Sequence, residues 1–102
     1  MEEYTNIERY ALIFILMQVM EADSIIHEQE IAFLNRMFIK FKITEQEISI
    51  ISNLDLQQCE SIIREMESLK KEEAISLFKE MASCDGYVDP RELKIIDHLC
   101  LI

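Results

Sequence analysis

The chain has 102 residues, half of them hydrophobic, and 20 acidic against 10 basic residues give it a formal net charge of −10. This length suits one folded domain, predicted to span 1–102, and so apolar a chain with a single glycine and a single proline is neither disordered nor collagen-like. The negative charge repels phosphate backbones, which excludes nucleic acid as the expected partner and favours cations or basic protein surfaces.

The three cysteines, Cys59, Cys84 and Cys100, form no C-x-x-C pair and have no zinc-type spacing. Their odd number, and a start without the pattern of a signal peptide, predict a reducing, cytoplasmic location with the thiols as small core side chains. The longest apolar run, 10–20, is interrupted by Gln18 and is too short to cross a bilayer, so no membrane span is expected.

Helical spacing of apolar residues predicts a first helix from about Asn6 to Ala22. Because this helix is apolar on nearly every side, we expect it to be the central, buried helix of a bundle. The alternative is that a second subunit covers one of its faces.

Three further helices are predicted between residues 28 and about 66. The second helix spans about 28–40 and has a basic C-terminal end. Its predicted inner face consists of Ile31, Leu34, Met37, Phe38 and Phe41. Thr44 with Glu47, and Asp55 with Gln58, have capping-box spacing and predict the starts of the third and fourth helices.

A fifth helix is predicted from about Leu69 to Cys84, with Ser68 as its cap, and a sixth from Pro90 to about Leu101. The predicted inner face of the sixth helix consists of Leu93, Ile96, Leu99 and Cys100. The expected fold is therefore all-α, a compact bundle of about six helices.

The turn between the last two helices contains the only glycine and the only proline. Gly86 suits the position just after a helix C-terminus because it adopts a positive φ at little cost. Asp89 is predicted to be the N-cap of the sixth helix, with Pro90 at its first position and Glu92 at its third.

A fainter copy of this turn precedes the second helix. Asp23 corresponds to Asp85 and Glu30 to Glu92, and both turns connect an apolar helix to an amphipathic one. We therefore predict two pseudo-repeated helical hairpins.

The two turns support the sharpest chemical hypothesis, a divalent-cation site. From Asp85 to Glu92 the sequence matches the second half of an EF-hand calcium loop, but Met81 and Ser83 occupy its first and third ligand positions. If the two hairpins pack face to face, carboxylates from both turns would form one pocket for Ca²⁺ or Mg²⁺. These carboxylates are Asp23, Glu30, Asp85, Asp89 and Glu92. The alternative is that they only cap helices and form turns.

The histidines and the remaining motifs give no catalytic site. His27 is interpreted as a solvated residue at the start of the second helix, and His98 as a favourable charge near a helix C-terminus. The sequence contains no nucleophile elbow, no H-E-x-x-H, no glycine-rich phosphate loop and no Cys–His pairing. We therefore expect a protein that is not an enzyme.

At its two turns the chain resembles the tellurite-resistance TerB family. The first matching element is the helix that ends at 20–23 and is followed by Glu30. The second and stronger element is the segment 81–92, with the sequence MASCDGYVDPRE, followed by Leu93 and Ile96.

This resemblance implies an all-α bundle with internal two-fold repetition and a non-enzymatic role in stress response, linked to metal binding and to membrane-associated assemblies. The chain departs from the family pattern at Ser24, where glycine is frequent, and at His27, where an acidic or small capping residue is common. The acidic cluster of the family corresponds here to Asp23, Glu30, Asp85 and Glu92.

Two functional hypotheses follow. The first is a TerB-like stress-response module that acts as a binding protein or scaffold and holds Ca²⁺ or another divalent cation. The second is a metal-free interaction module that uses an acidic or apolar helix face to bind a partner protein or to form a homodimer. A peripheral membrane assembly is compatible with either.

Overall fold

A computed structural model describes residues 4–22, 27–84 and 90–101, except for the side chains of Glu92, Cys100 and Leu101. Within these residues the chain forms α-helices and no strand, so the predicted all-α fold is confirmed. The helices are α1 (Asn6–Glu21), α2 (Glu28–Lys40), α3 (Glu45–Ser52), α4 (Leu56–Arg64), α5 (Ser68–Ser83) and α6 (Pro90–Leu101). The radius of gyration is 12.6 Å, close to the roughly 13 Å expected of a compact chain of this length.

The predicted capping boxes start α3 and α4. At α3, the Thr44 N–H donates to Glu47 Oε1 at 3.0 Å and the Glu47 N–H donates to Thr44 Oγ1 at 3.2 Å. At α4, the Asp55 N–H donates to Gln58 Oε1 at 3.1 Å and the Gln58 N–H donates to Asp55 Oδ1 at 2.7 Å. Both boxes satisfy backbone N–H groups that a helix start otherwise leaves unpaired.

The starts of α1 and α5 differ from the sequence analysis. Thr5 and Glu8 form a capping box at α1 that was not predicted. The prediction of Ser68 as the cap of α5 is wrong: Ser68 is the first helical residue, and Glu67 stands at the N-cap without a side-chain cap bond. Lys71 follows Ser68 three residues later, and an ammonium group cannot accept the return hydrogen bond of a capping box.

Helix α1 is the centre of the bundle, as predicted, because it packs against each of the other five helices. Its buried residues are Ala11, Leu12, Ile13, Ile15, Leu16, Val19 and Met20. The chain itself covers these side chains, so their burial does not require a second subunit. No helix among the described residues is both long and apolar enough to cross a bilayer.

The helices at the two ends of the chain form the predicted pair of hairpins. A 16-residue helix followed by a 13-residue helix packs as α1 with α2, and a 16-residue helix followed by a 12-residue helix packs as α5 with α6. The two hairpins contact each other through α1 with α5, α2 with α5, and α1 with α6. This arrangement places the helices that flank both acidic turns in one packed unit.

Two residues assigned to inner faces are exposed. Ile31 on α2 is 45% exposed, and Phe33 is buried in its place. The buried stripe of α2 is therefore displaced toward Phe33, whose aromatic ring removes more apolar area from water than the isoleucine does. On α6, Leu93 is 41% exposed, whereas Ile96 and Leu99 are fully buried as predicted.

Candidate functional site

The predicted cation site lies mostly outside the described residues. Asp23, Asp85 and Asp89 are not among them, and Glu92 is described only as the third residue of α6. Of the five predicted ligands, Glu30 is the one whose side chain the structure describes. Among the described residues, no group of three or more His, Cys, Asp or Glu side chains is placed to hold a metal ion.

Glu30 is a buried carboxylate in the first turn of α2. Its exposed fraction is 1%, and it is the one charged or polar residue in the buried set of the described residues. Its Oε1 atom accepts the backbone N–H of His27 at 3.2 Å, which ties the start of α2 to the preceding residue. The positive end of the helix dipole stabilises a carboxylate at this position.

Helix capping does not by itself require such burial. Glu8 and Glu47 occupy the same third helical position in α1 and α3, and each side chain keeps 16% exposure. Gln58 at the third position of α4 is exposed. Transferring a carboxylate from water into a protein interior costs several kcal/mol unless charges or hydrogen bonds compensate. Glu30 is therefore more deeply buried than the other residues at this helical position.

His27 is the N-cap residue of α2 and is partly buried, so its predicted solvated position is only partly correct. His98 has a role that its position near a helix C-terminus did not predict. Its Nε2 atom lies 2.8 Å from Glu60 Oε2, which links α6 to α4. Neither histidine is part of a metal-binding group among the described residues.

A polar cluster that the sequence analysis missed joins α1 to α3. Tyr10 donates its hydroxyl to Glu47 Oε2 at 2.6 Å, and Arg9 Nη2 donates to the same oxygen at 2.9 Å. The Tyr10 hydrogen bond, the Thr44 backbone N–H and Arg9 together lower the pKa of Glu47 to about 2. The Glu47 carboxylate thus contacts α1 as well as capping α3. Its spacing from Thr44 in the sequence predicted only the capping role.

Neither Cys59 nor the groove between α1 and α4 has the properties of a catalytic site. Burial, with the nearby charges of Asp55 and Glu60, raises the pKa of Cys59 to about 12, so this thiol is protonated at neutral pH and is a poor nucleophile. A shallow groove of about 170 Å³ has a mainly aliphatic lining. Its lining residues are Ile7, Tyr10, Leu54, Gln58 and Ile62. Small-molecule pockets usually exceed about 300 Å³, so this groove is small for one.

Comparison with known proteins supports the fold alone. No protein-family model and no curated protein matches the chain. Among solved structures, the fold is similar to a crystal structure of a protein of unknown function from Porphyromonas gingivalis. The TM-score is 0.77 and the sequence identity 24%, and the match covers 100% of this chain and 88% of that chain.

Proposed function

We propose that the chain is a TerB-like, non-enzymatic binding or scaffold module of stress response that holds a divalent cation between its two hairpins. The burial of Glu30 is the observation that supports this most. Glu30 lies in the first turn of α2, directly after the first acidic turn, and its carboxylate is an oxygen ligand of the kind that hard divalent cations prefer. The other proposed ligands are Asp23, Asp85, Asp89 and Glu92.

The chemistry of these side chains selects the class of ion. All five are carboxylates, and hard cations such as Ca²⁺ and Mg²⁺ prefer oxygen ligands. Ca²⁺ is the favoured ion because it accepts six to eight oxygens in irregular geometry, whereas Mg²⁺ demands a near-octahedral arrangement. The hairpin packing supports a shared site, since the helices on both sides of each turn belong to one packed unit.

A metal-free interaction module is the second proposal. Exposed aliphatic side chains favour it, because Ile39 is 78% and Leu69 61% exposed. In this case the partner is another protein or a second copy of the chain. Either function is proposed to operate in the cytoplasm, free or in a peripheral membrane assembly.

The variant Glu30→Gln tests the cation site. Glutamine is also accepted at the third position of a capping box, so the start of α2 should persist while the charge is lost. We measure thermal melts at fixed ionic strength in EDTA and then with about 1 mM Ca²⁺, Mg²⁺, Mn²⁺ or Zn²⁺. For a dissociation constant near 10 μM, the wild type should gain roughly 2.7 kcal/mol, or about 10 °C or more, and Glu30→Gln should lose most of this gain.

Glu28→Gln is the matched control, because Glu28 is an exposed carboxylate in the same turn of α2. It should keep the full ion-dependent rise in melting temperature. No rise with any ion in the wild type, or an equal reduction in both variants, would contradict the cation site and leave the interaction module as the better proposal.

A further inference from the structure

The second half of α2 and the residues after it carry a charge opposite to that of the whole chain. From 31 to 44 there is no aspartate or glutamate, although the chain contains 20 acidic residues. The same segment contains Arg36, Lys40 and Lys42, all exposed. This segment is therefore locally cationic in an acidic protein.

These cations are not used in ion pairs among the described residues. Arg9 and Lys70 are paired with Glu47 and Glu8 at 2.9 and 3.1 Å, whereas Arg36 and Lys40 form no ion pair with any carboxylate of the residues that the structure describes. Arg36 instead lies over the ring of Phe33 at 5.5 Å, and Lys40 lies over the ring of Phe41 at 5.9 Å. Contact with buried rings holds the stems of both side chains near the helix and leaves their charges at the surface.

Exposed apolar side chains share the outer side of α2, and Ile39 is the one beside Arg36 and Lys40. Ile39 is 78% exposed, the largest value among the exposed large hydrophobic residues described, and Ile31 is 45% exposed. On a helix, eight residues separate positions on one face by about 12 Å. Asn35, between them on that face, is short and exposed. We call this surface the α2 outer face: Ile31, Asn35, Arg36, Ile39, Lys40 and Lys42.

We propose that the α2 outer face binds an acidic amphipathic helix of a partner protein. Two aliphatic side chains about 12 Å apart suit the apolar stripe of a docked helix. Arg36 and Lys40, one helical turn apart, lie on one side of Ile39 and suit glutamates or aspartates on that side of the docked helix. The charge of the surface is the feature that selects this partner, since a basic helix would meet only cations there.

The same charges argue against two other occupants. A net charge of −10 opposes approach to an anionic membrane, and three cations alone attract such a surface only weakly. A second copy of the chain carries the same net negative charge and is repelled as a whole. A short acidic helix contacts only this cationic segment and carries less negative charge than a whole second copy, so its repulsion by the rest of the chain is weaker.

A selection experiment tests the proposal without assuming a partner sequence. The full chain is immobilised, and binders are selected from a displayed library of random helical peptides at about 150 mM salt. We expect the selected peptides to be acidic, with aliphatic residues at helical spacing. Binding is then measured with labelled synthetic peptides by fluorescence anisotropy.

The variants are matched in charge. The double variant Arg36→Glu/Lys40→Glu should weaken peptide binding at least tenfold. Lys79→Glu/Lys94→Glu makes the same change in net charge at exposed positions of α5 and α6, and should weaken binding less than threefold. Ile39→Ser should weaken it severalfold, whereas Leu69→Ser, at a 61% exposed position on α5, should not.

Several results would overturn the proposal. Basic selected peptides would show that the acidic surface is the docking site, and equal weakening by both double variants would show only a net-charge effect. Binding to vesicles of anionic phospholipid, or self-association of the wild type in sedimentation, would assign the face to a membrane or a second copy if Arg36→Glu/Lys40→Glu abolished it. Glu30 is buried and is not part of this exposed surface, so Glu30→Gln should leave peptide binding unchanged and this test is distinguishable from that of the cation site.

Discussion

At the scale of single residues, Arg9 connects three helices through one planar side chain. Its Nη1 atom donates to the Phe41 carbonyl oxygen at 2.6 Å, at the end of α2, and its Nη2 atom donates to Glu47 on α3. The Phe41 carbonyl is one of those that a helix C-terminus leaves without an intrahelical partner. Because both nitrogens are used at once, a lysine could not replace this arginine.

The lowered pKa of Glu47 predicts a stability difference that depends on pH. The pKa falls from its ordinary 4.5 to about 2 on folding, so the carboxylate contributes stability above about pH 4.5 and loses it as the pH falls toward 2. Glu47→Gln keeps a side chain that suits the capping box but removes the charge. We expect this variant to be less stable than the wild type at pH 7, with the two converging near pH 2, as measured by urea unfolding across that range.

Glu45→Gln is the control for this titration, since Glu45 is exposed and lies in the same first turn of α3. Its stability difference from the wild type should be small throughout. Tyr10→Phe should raise the pKa of Glu47, because the Tyr10 hydroxyl is the largest cause of the lowered value. A constant gap between Glu47→Gln and the wild type from pH 7 to pH 2 would contradict this account.

At the scale of elements, α2 ends in a Schellman motif that places a lysine in a glycine conformation. The Ile43 N–H donates to the Phe38 carbonyl at 2.9 Å and the Lys42 N–H to the Ile39 carbonyl at 3.2 Å. Lys42 accordingly has a φ of 55°, in the left-handed region. A residue with a Cβ atom destabilises the folded state by roughly 1–2 kcal/mol at this φ, and glycine, which has no Cβ atom, does not.

Lys42→Gly should therefore stabilise the protein. The relief of backbone strain is partly offset by the greater freedom of glycine in the unfolded chain, leaving a gain of about 0.5–1 kcal/mol, or roughly 2–8 °C in melting temperature. Lys79→Gly, within α5, should lower stability by up to about 1 kcal/mol. A decrease with Lys42→Gly in a thermal melt would show that the positive φ is not strained here.

The sequence predicted the elements well where the determinants are local. Apolar spacing and capping residues lie within a few positions of each other, so α2 and α6 were placed with their observed bounds. The displaced stripe of α2 was missed because Ile31 and Phe33 are both apolar, and only packing against other helices decides which is buried. The Thr5–Glu8 box did have a local sequence pattern that was overlooked.

At the scale of the whole molecule, the contacts that organise the helices could not be predicted from spacing. Arg9 and Glu47 are 38 residues apart, and nothing near either residue identifies the other as its partner. The sequence did identify Glu30 as a candidate ligand by its correspondence to Glu92. Its burial could not be predicted, because it depends on helices that pack around the start of α2.

The two proposals use oppositely charged residues of α2. Glu30 lies in its first turn, whereas Arg36 and Lys40 lie in its second half. One helix would thus bind a cation at its start and an anionic partner beyond its middle. A scaffold protein with these two sites would present a partner-binding surface on a helix whose N-terminal turn is fixed by the ion.

The central claim is that the two acidic turns share one cation, and Mn²⁺ broadening of amide resonances in ¹⁵N-labelled protein tests it most directly. A bound paramagnetic ion broadens only nearby amides, so we predict that resonances of 23–30 and 85–92 broaden together and saturate at one Mn²⁺ per chain. Excess Ca²⁺ should reverse the effect, and Glu30→Gln should abolish it, whereas Glu28→Gln should not. Broadening scattered over exposed carboxylates, or confined to one turn, would contradict a site shared by the two hairpins.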